Sequence, residues 1–530
     1  MTTTTAKFAV ALALAVMASQ AWAQLEPLPG TETEQPEKPR PGWRFTPTLE
    51  LRETWTDNIG LTSDADAQSQ FISEIAPGFL LDYLGPRVKL RSRYELHYYG
   101  LIGSSAKGVN RSSNLANANL QARLLGDFLY LDAFGDISQA GVSPFGQRVY
   151  ENNYSAVNKA EVRTFRVSPH LKNRLGNFAV SEVRYTRDGV RSNNNTGFGD
   201  SDGETLSATL ASGSRYQALG WNVSYSRQHL EDSRAQDSDI ENIDGRLTLR
   251  LGPTLALSAG AGYDKYDYQS LGGATEGRAW LAGVSWNPSR RTSVTADVGH
   301  RFFGPSRSLA ILHRSRHTVW NLNYNNSVTN SRNEYLLEST LNTASLLDSL
   351  FLPTYSDPVE RQRAVDAYIR STGLPAELAN DLNFFSNRFY LQRQLRAGVA
   401  MRLARTSAIF SLYNVRRDAL SVRDADGVLV GSIIQTANDN VTQKGGNLTL
   451  NYRYTPRTTF NVVIDRARSE SRSALLETSN NFLAVGARYV GRKGLAGSLQ
   501  LRHVTGRTAS GITFFDYTEN ALSATVYMKF

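Results

Sequence analysis

The chain has 530 residues, a formal net charge of +9 and a hydrophobic content of 41%, and it contains no cysteine. The absence of cysteine excludes structural disulfides, thiolate metal sites, a cysteine nucleophile and the modified cysteine of a lipoprotein. Beyond a short apolar run near the N-terminus, no stretch of 18 or more apolar residues occurs, which excludes a transmembrane helix.

Residues 1–23 are predicted to be a secretory signal peptide. Lys7 is the only charge before the apolar run 8–18, and Ala21 and Ala23 are small residues suited to cleavage before Gln24. This run is too short to span a bilayer as a helix. Residues 24–42 are rich in proline and glutamate, which predicts a short periplasmic linker without a packed core.

From residue 43 onward the sequence consists of segments of roughly 10–15 residues in which apolar and polar residues alternate, as in β-strands. In one segment Leu90, Tyr94 and Leu96 share a face, and basic residues occupy the other. A charge that faces lipid at the bilayer midplane costs about 2–4 kcal/mol, so the basic faces are predicted to line a lumen. The basic residues predicted to face the lumen and to form a candidate substrate path are Arg87, Lys89, Arg91, Arg93, His97, Arg184, Arg246, Arg250 and Arg502.

The connections between these segments alternate in length. Tight turns, as at residues 84–87 and 454–457, alternate with long polar loops, which are predicted at residues 139–155, 188–204, 230–240, 268–277, 420–440 and 505–517. Short periplasmic turns and long extracellular loops are typical of bacterial outer-membrane barrels. We expect about 22 strands, an even number, because both ends of the chain should be periplasmic. A soluble β-repeat protein is disfavoured, because no fixed-period motif is present.

A helical insert is predicted at residues 342–383. Asp357 is suited to cap a helix that begins at Pro358, and Gly373 is suited to end it. The strand count places the insert outside the barrel or in its lumen if the weak segment 331–340 is a strand, and in the periplasm if it is not. The insert could be a plug or gate, or equally a cap over a loop edge. The candidate plug or gate residues are Asp357, Arg361, Arg363, Tyr368 and Arg370.

The last residues of the chain alternate strictly and end on an aromatic residue. One face carries Leu522, Ala524, Val526, Met528 and Phe530. A strand of this kind closes an outer-membrane barrel, and its terminal aromatic residue is read by the barrel insertion machinery. We therefore interpret these five residues as the barrel-closing C-terminal signature.

No catalytic or metal-binding constellation is recognisable in the sequence. The seven histidines form no metal-binding motif, and the Asp-rich segments 200–204 and 424–427 favour turns over calcium loops. Inward arginines can bias a pore toward anions, or they can pair with inward carboxylates such as Glu95 and Glu182. Nucleic acid is not an expected partner, since these charges face inward. We expect no enzyme activity and no cofactor.

Several segments resemble a known family. They are residues 43–61, with Trp43, Pro47 and Asp57-Asn58; residues 75–78, with Pro77-Gly78; residues 352–375 of the insert; and residues 387–395. In order and spacing they resemble the outer-membrane β-barrel family associated with the PEP-CTERM/exosortase system. The resemblance implies a companion of exopolysaccharide biosynthesis and export, and it brings no catalytic residues.

We therefore predict an all-β protein: residues 43–530 form one large antiparallel transmembrane β-barrel in the outer membrane of a Gram-negative bacterium, with a short helical insert. The leading hypothesis is a pore or export conduit for an exopolysaccharide, with arginine for acidic groups and tyrosine for sugar faces. The alternatives are a non-conducting scaffold or assembly barrel and, less favoured, an outer-membrane enzyme. The expected partners are outer-membrane lipid, the insertion machinery, polysaccharide and periplasmic export components.

Overall fold

The computed structural model describes residues 42–102, 110–150, 154–192, 198–336, 347–348, 351, 361, 365, 383–422, 437–491, 494–511 and 513–530. The predicted signal peptide and linker lie outside these ranges, apart from Gly42. No helix in the described ranges is long and apolar enough to span a membrane.

Twenty-two β-strands form one antiparallel sheet in which each strand pairs with the next. The first eleven are β1 (Gly42–Thr56), β2 (Gln70–Leu84), β3 (Val88–Ile102), β4 (Ser112–Leu125), β5 (Leu129–Gly141), β6 (Lys159–Leu175), β7 (Ala179–Ser192), β8 (Ser201–Ser212), β9 (Leu219–Asp232), β10 (Ser238–Arg250) and β11 (Leu255–Tyr266). The others are β12 (Glu276–Ser289), β13 (Thr292–Arg301), β14 (Gly304–Arg314), β15 (Thr318–Asn330), β16 (Phe389–Arg402), β17 (Thr406–Ala419), β18 (Asn440–Arg453), β19 (Thr458–Ser471), β20 (Leu476–Val490), β21 (Leu495–Ser510) and β22 (Thr513–Lys529).

The sheet closes on itself because β22 pairs with β1, from Thr48 opposite Lys529 to Thr56 opposite Ala521. This confirms the predicted all-β architecture with about 22 strands. The C-terminal strand therefore leaves no unpaired edge, and Leu522, Val526 and Phe530 are exposed on the outer face.

An apolar belt surrounds the outer face of the barrel. Large apolar side chains exposed on this face begin at the end with the short turns and cover the adjoining part of most strands, as with Leu395 on β16, Leu412 on β17 and Leu499 on β21. Alternation puts the polar residues of the same strands inside. A closed barrel with such a belt is an outer-membrane protein of a Gram-negative bacterium. Its short turns, the start of β1 and the end of β22 lie at the periplasmic side.

The strands continue beyond the belt on the extracellular side, and several predicted loops are therefore wrong in length. Only residues 511–512 connect β21 to β22, where the sequence predicted a loop at 505–517. The predicted loops 188–204 and 230–240 shrink to 193–200 and 233–237 for the same reason. Apolar alternation stops where lipid stops, but the hydrogen-bonded ladder does not, so the hydrophobic pattern underestimates strand length.

The prediction of a weak strand at 331–340 is wrong for residues 331–336, which form helix α1 (Ser331–Leu336). The insert nevertheless begins at the extracellular end of β15, because fourteen strands precede β15 and it therefore runs in the same direction as β1. Arg361 and Val365 are helical and buried. Of the predicted plug residues, Asp357, Arg363, Tyr368 and Arg370 lie outside the described residues.

Candidate functional site

The lumenal wall brings most of the predicted basic residues to the inside, each next to a carboxylate. Arg91 lies 3.3 Å from Asp82, and Arg93 lies 2.7 Å from Glu95 on its own strand. His97 Nδ1 lies 2.5 Å from Glu74 Oε1. These pairs follow from alternation, because residues two apart on one strand, or opposite on neighbouring strands, share the lumenal face.

The same pairing continues around the wall. Arg184 lies between Asp132 and Glu182, at 2.9 and 3.0 Å. Arg246 lies 3.3 Å from Asp297, and Arg502 lies 2.7 Å from Glu519. Lys89 is exposed and makes no ion pair or side-chain hydrogen bond with a described residue. The wall is therefore largely charge-paired, as the alternative interpretation of the inward arginines required.

Two of the predicted lumenal residues belong to the periplasmic rim. The prediction that Arg87 lies on a strand is wrong, since this residue is exposed in the turn between β2 and β3. Proline at 86 ends the strand ladder before it, because proline has no N–H to donate. Arg250 is the last residue of β10, and its side chain donates a 2.8 Å hydrogen bond to the Gln217 carbonyl in the neighbouring turn.

A repeated arginine contact ties this rim together. Arg123, Arg314 and Arg453, each near the end of a strand that runs toward the periplasm, donate to the backbone carbonyls of Pro86, Arg290 and Ala404 in adjacent turns. The described turns at this end carry one carboxylate, Asp127, against the cations Arg87, Arg215, Arg290, Arg291, Arg316, Arg405 and Arg457. The periplasmic mouth is thus strongly basic.

The β5–β6 loop, residues 142–158, crosses the lumen. Its Val149 packs with Val463 of β19 and Phe482 of β20, although β20 lies seven strands from β5 around the barrel. The Tyr150 ring stacks on Phe482 with ring centroids 4.3 Å apart. We call residues 142–150 and 154–158, the described parts of this segment, the crossing loop.

Hydrogen bonds fix the crossing loop to the opposite wall. The Tyr150 hydroxyl donates 2.7 Å to Asp465, and Thr478 donates 2.9 Å to the Phe145 carbonyl. Arg502 donates 3.4 Å to the Tyr154 hydroxyl. Burial raises the pKa of Tyr150 well above its usual value and that of Tyr154 to about 12. Both phenols therefore stay protonated at neutral pH and can keep these hydrogen bonds.

A second segment crosses the barrel in the other direction. Helix α1 follows β15 but packs on β6 and β7, where Arg332 pairs with Asp188 and donates 2.8 Å to Ser201 Oγ. Phe385, just before β16, stacks on Phe198 at 4.7 Å. Its backbone N–H donates 3.1 Å to the Val142 carbonyl, so the two crossing segments contact each other. Together they close the extracellular side of the lumen.

One described residue of the insert, Phe351, contacts the barrel wall. Phe351 is 4% exposed, and its ring centroid lies 4.8 Å from the guanidinium of Arg402, the last residue of β16 at the periplasmic end. The flanks of the insert join β15 and β16 at the extracellular end, about 40 Å of strand away. Arg361 pairs with Asp348 at 2.8 Å. Phe351 therefore lies near the periplasmic end of β16, although both flanks of the insert join the barrel at the extracellular end.

The two sides of the wall differ in exposure to water. On the covered wall, β15–β22, the inward residues Val319, Ala400, Ile409 and Thr449 are at most 1% exposed. On the open wall, β3–β14, several charged side chains stay accessible, as for Arg93 at 56%. Any passage for solute through the described part of the lumen thus runs along the open wall.

A polar cleft lies between the crossing loop and the covered wall. Arg148 lies on its loop side, and Tyr413, Gln443 and Asn480 lie on its wall side. Gln443 is 4% exposed, and its Oε1 has no hydrogen-bond partner among the described residues. Amides, a phenol and a guanidinium supply this cleft with hydrogen-bond donors and acceptors.

Sequence patterns did not reveal the residues that form this closure. Tyr150 and Asp465 are 315 positions apart, and Arg332 and Asp188 are 144 apart. Periodicity reports which face a residue occupies but not which distant strand a loop reaches. Among the described residues, no group of three or more histidine, aspartate or glutamate side chains is arranged to hold a metal ion.

Solved structures with a similar fold are outer-membrane barrels. The siderophore receptor PirA from Pseudomonas aeruginosa is 10% identical over 93% of this chain and 81% of its own, with a TM-score of 0.39. The ferric enterobactin receptor PfeA is 10% identical over 93% of this chain and 82% of its own, with a TM-score of 0.43. The outer membrane protein opdK from P. aeruginosa is 9% identical over 92% of this chain and 99% of its own, with a TM-score of 0.34. No family model and no curated protein sequence matches the chain. At these identities and TM-scores we base no functional argument on the likeness.

Proposed function

We propose that the chain is a gated export conduit for an acidic exopolysaccharide. The observation that carries the proposal is the open wall, which keeps accessible arginines in the lumen beside a basic periplasmic mouth. Basic groups along a pore favour anions over cations. A polymer that carries carboxylates would meet cations first at the rim and then along β3–β14.

The cleft supports the same function. Arg148, which pairs with Asp465 at 3.5 Å, and the buried Gln443 oxygen would become available to the acidic and hydroxyl groups of a sugar when the crossing loop moves. The crossing loop and α1 make the described state closed on the extracellular side, so export requires these segments to move. The association with exopolysaccharide genes comes from the family resemblance.

A scaffold is the second candidate, and the extent of the closure favours it. Two segments lie across the lumen, Phe351 of the insert contacts its wall, and the ion pair of Arg332 with Asp188, which anchors α1, is buried. A barrel filled in this way can hold partners in the membrane without conducting. The two candidates differ in whether release of the closure opens a path.

Planar-bilayer conductance separates them. We expect the refolded full chain to conduct little, and the variant Tyr150→Ala/Arg332→Gln to open a large anion-selective current that an anionic oligosaccharide blocks. Tyr130→Ala removes a lumenal ring of the open wall that stacks on His170, and it serves as the control that stays closed. A folded release variant that stays silent would support the scaffold, and a cation-selective current that the sugar does not affect would overturn the conduit.

A further inference from the structure

A group of cations lies on the outer face of the barrel, directly above the apolar belt. The group, which we call the basic patch, consists of Arg393 on β16, Arg416 on β17, Lys444 on β18, Arg466 and Arg468 on β19, and Arg472 just after β19. The register places the five strand residues on the same face as the lipid-facing Leu395, Leu412 and Ile464. The basic patch therefore faces outward and belongs neither to the lumen nor to the closure.

The register of these strands brings like charges together. Arg393 is opposite Arg416, and Lys444 is opposite Arg468. Like charges directly opposite on one face destabilise a sheet unless something neutralises them. A sequence that places cations opposite one another on two successive strand pairs indicates an anionic partner.

Internal carboxylates neutralise only part of the basic patch. Asp418 lies 2.7 Å from Arg393 and 3.2 Å from Arg416, and it also pairs with Arg472. Arg468 lies 2.6 Å from Glu477. Lys444 and Arg466 are exposed and form no hydrogen bond or ion pair with a side chain in the described ranges.

The outer face on the other side of the barrel shows that this excess is local. On β6–β9 the outward charges also lie above the belt, and Arg163 is likewise opposite Arg191, but each of these two cations has its own carboxylate within 3 Å. Arg163 pairs with Glu161, Arg187 with Glu204, and Arg191 with Asp202, at 2.7, 3.0 and 2.7 Å. Outward strand ends are therefore charged in general, and β16–β19 differ from β6–β9 because Lys444 and Arg466 have no carboxylate partner among the described residues.

The height of the basic patch indicates its occupant. Toward the extracellular end of β19, the next outward residue beyond Ile464 is Arg466. On β18 the next outward positions beyond Leu448 in the same direction are Gly446 and then Lys444. A Cβ atom at Gly446 would lie 2.7 Å from Leu412 Cδ2, so the Leu412 side chain covers this position and extends the apolar surface toward Lys444. The cations thus lie at the edge of the lipid-covered zone, where the head groups of the outer leaflet are located.

We propose that the basic patch binds a phosphorylated glycolipid of the outer leaflet, of the lipid A type. Its phosphates contact Lys444 and Arg466, and its acyl chains pack on Leu412, Leu448 and Ile464. Arginine and lysine are the usual partners of phosphate groups. Free phosphate is a poorer candidate, because it would use the cations and leave the adjoining apolar surface without a role.

Titration of the purified full-length barrel in detergent tests this site. The probes are lipid A, lipid A without its phosphates, phosphatidylglycerol and inorganic phosphate. The variant Lys444→Gln/Arg466→Gln removes the two unmatched cations, and Lys265→Gln/Arg278→Gln removes two outward cations of β11 and β12 as a matched control. Because each basic residue near an anionic surface contributes about 1 kcal/mol, we expect a roughly thirtyfold loss of lipid A affinity in the first variant.

The expected pattern is tight binding of lipid A by the wild type and the control, and weak binding of the dephosphorylated form. Equal affinity of both variants for lipid A would overturn the site. Equal binding of phosphatidylglycerol, or tighter binding of inorganic phosphate, would overturn the glycolipid assignment. If the double variant does not reach the heat-resistant folded form, Lys444→Arg/Arg466→Lys keeps the charges and should retain binding, whereas Arg466→Gln alone should lose part of it.

Discussion

The covered and open walls of the lumen use the same arginine–carboxylate pair in different surroundings. Arg502 and Glu519, on β21 and β22, are covered by the crossing loop and are each 3% exposed. Arg184 and Glu182, on β7 of the open wall, are 28% and 33% exposed. Burial deprives a charge of water, so a covered pair depends on its partner far more than an open one does. The ion pairs of the covered wall therefore stabilise the closed state. On the open wall, an arginine can leave its carboxylate partner and bind a solute instead.

Removal of one buried partner gives the largest expected effect. Arg502→Gln leaves the Glu519 carboxylate buried beside Tyr154, and we expect it to lower the free energy of unfolding by about 3–5 kcal/mol. The matched change on the open wall, Arg184→Gln, should cost about 1 kcal/mol or less. Urea titration of the folded barrel measures both values, and equal losses would contradict the distinction between the walls.

Alkaline pH probes the anchor of the crossing loop. Burial raises the pKa of Tyr154 from 10 to about 12, so the folded state holds this proton more tightly than the unfolded state does. The resulting stability is present in full below pH 10 and is lost as the pH rises to 12. For two pKa units the loss is about 3 kcal/mol.

The variant Tyr154→Phe should reduce this loss, and the further change Tyr150→Phe should reduce it again, since burial also raises the pKa of Tyr150. Urea midpoints between pH 9 and 12 are the measurement. A midpoint that falls equally in the wild type and in the double variant would show that the loop phenols do not contribute.

A smaller effect is expected from the Tyr150 hydroxyl alone. Tyr150→Phe keeps the stack on Phe482 but removes the hydrogen bond to Asp465, whose remaining close cation is Arg148 at 3.5 Å. A buried acceptor left without its donor costs about 1–3 kcal/mol. Hydrogen exchange of the crossing loop should rise correspondingly, whereas Tyr130→Phe on the open wall should leave it unchanged.

The fold was predictable because it depends on local alternation. The strands around Arg91, Leu247 and Phe460 each show one apolar and one polar face, and a barrel is the closed sheet that satisfies both faces in a membrane. The same reasoning assigned the inward face of Arg91, Arg184 and Arg502. It failed at the extracellular strand ends, because residues there face water on both sides and carry no apolar signal.

The closure was not predictable from the sequence, because it depends on contacts between distant strands. Nothing near Tyr150 indicates Asp465, and nothing near Arg332 indicates Asp188. The basic patch shows the same limit, since Arg393 and Arg416 become neighbours only through the register of β16 and β17. The sequence showed an excess of cations, and only the register shows which of them lack a carboxylate.

The smallest effect on stability should come from the open wall itself, together with a clear effect on ions. Arg91→Gln/Arg93→Gln leaves Asp82 and Glu95 in an accessible lumen, so we expect a change in unfolding free energy of about 1 kcal/mol or less. In a background with the closure released, the two carboxylates remain without their cations, and the anion preference of single channels should fall. The opposite change, Asp82→Asn/Glu95→Gln, should raise that preference. Unchanged selectivity in both variants would mean that ions do not pass along β3, and it would move the expected path to another part of the open wall.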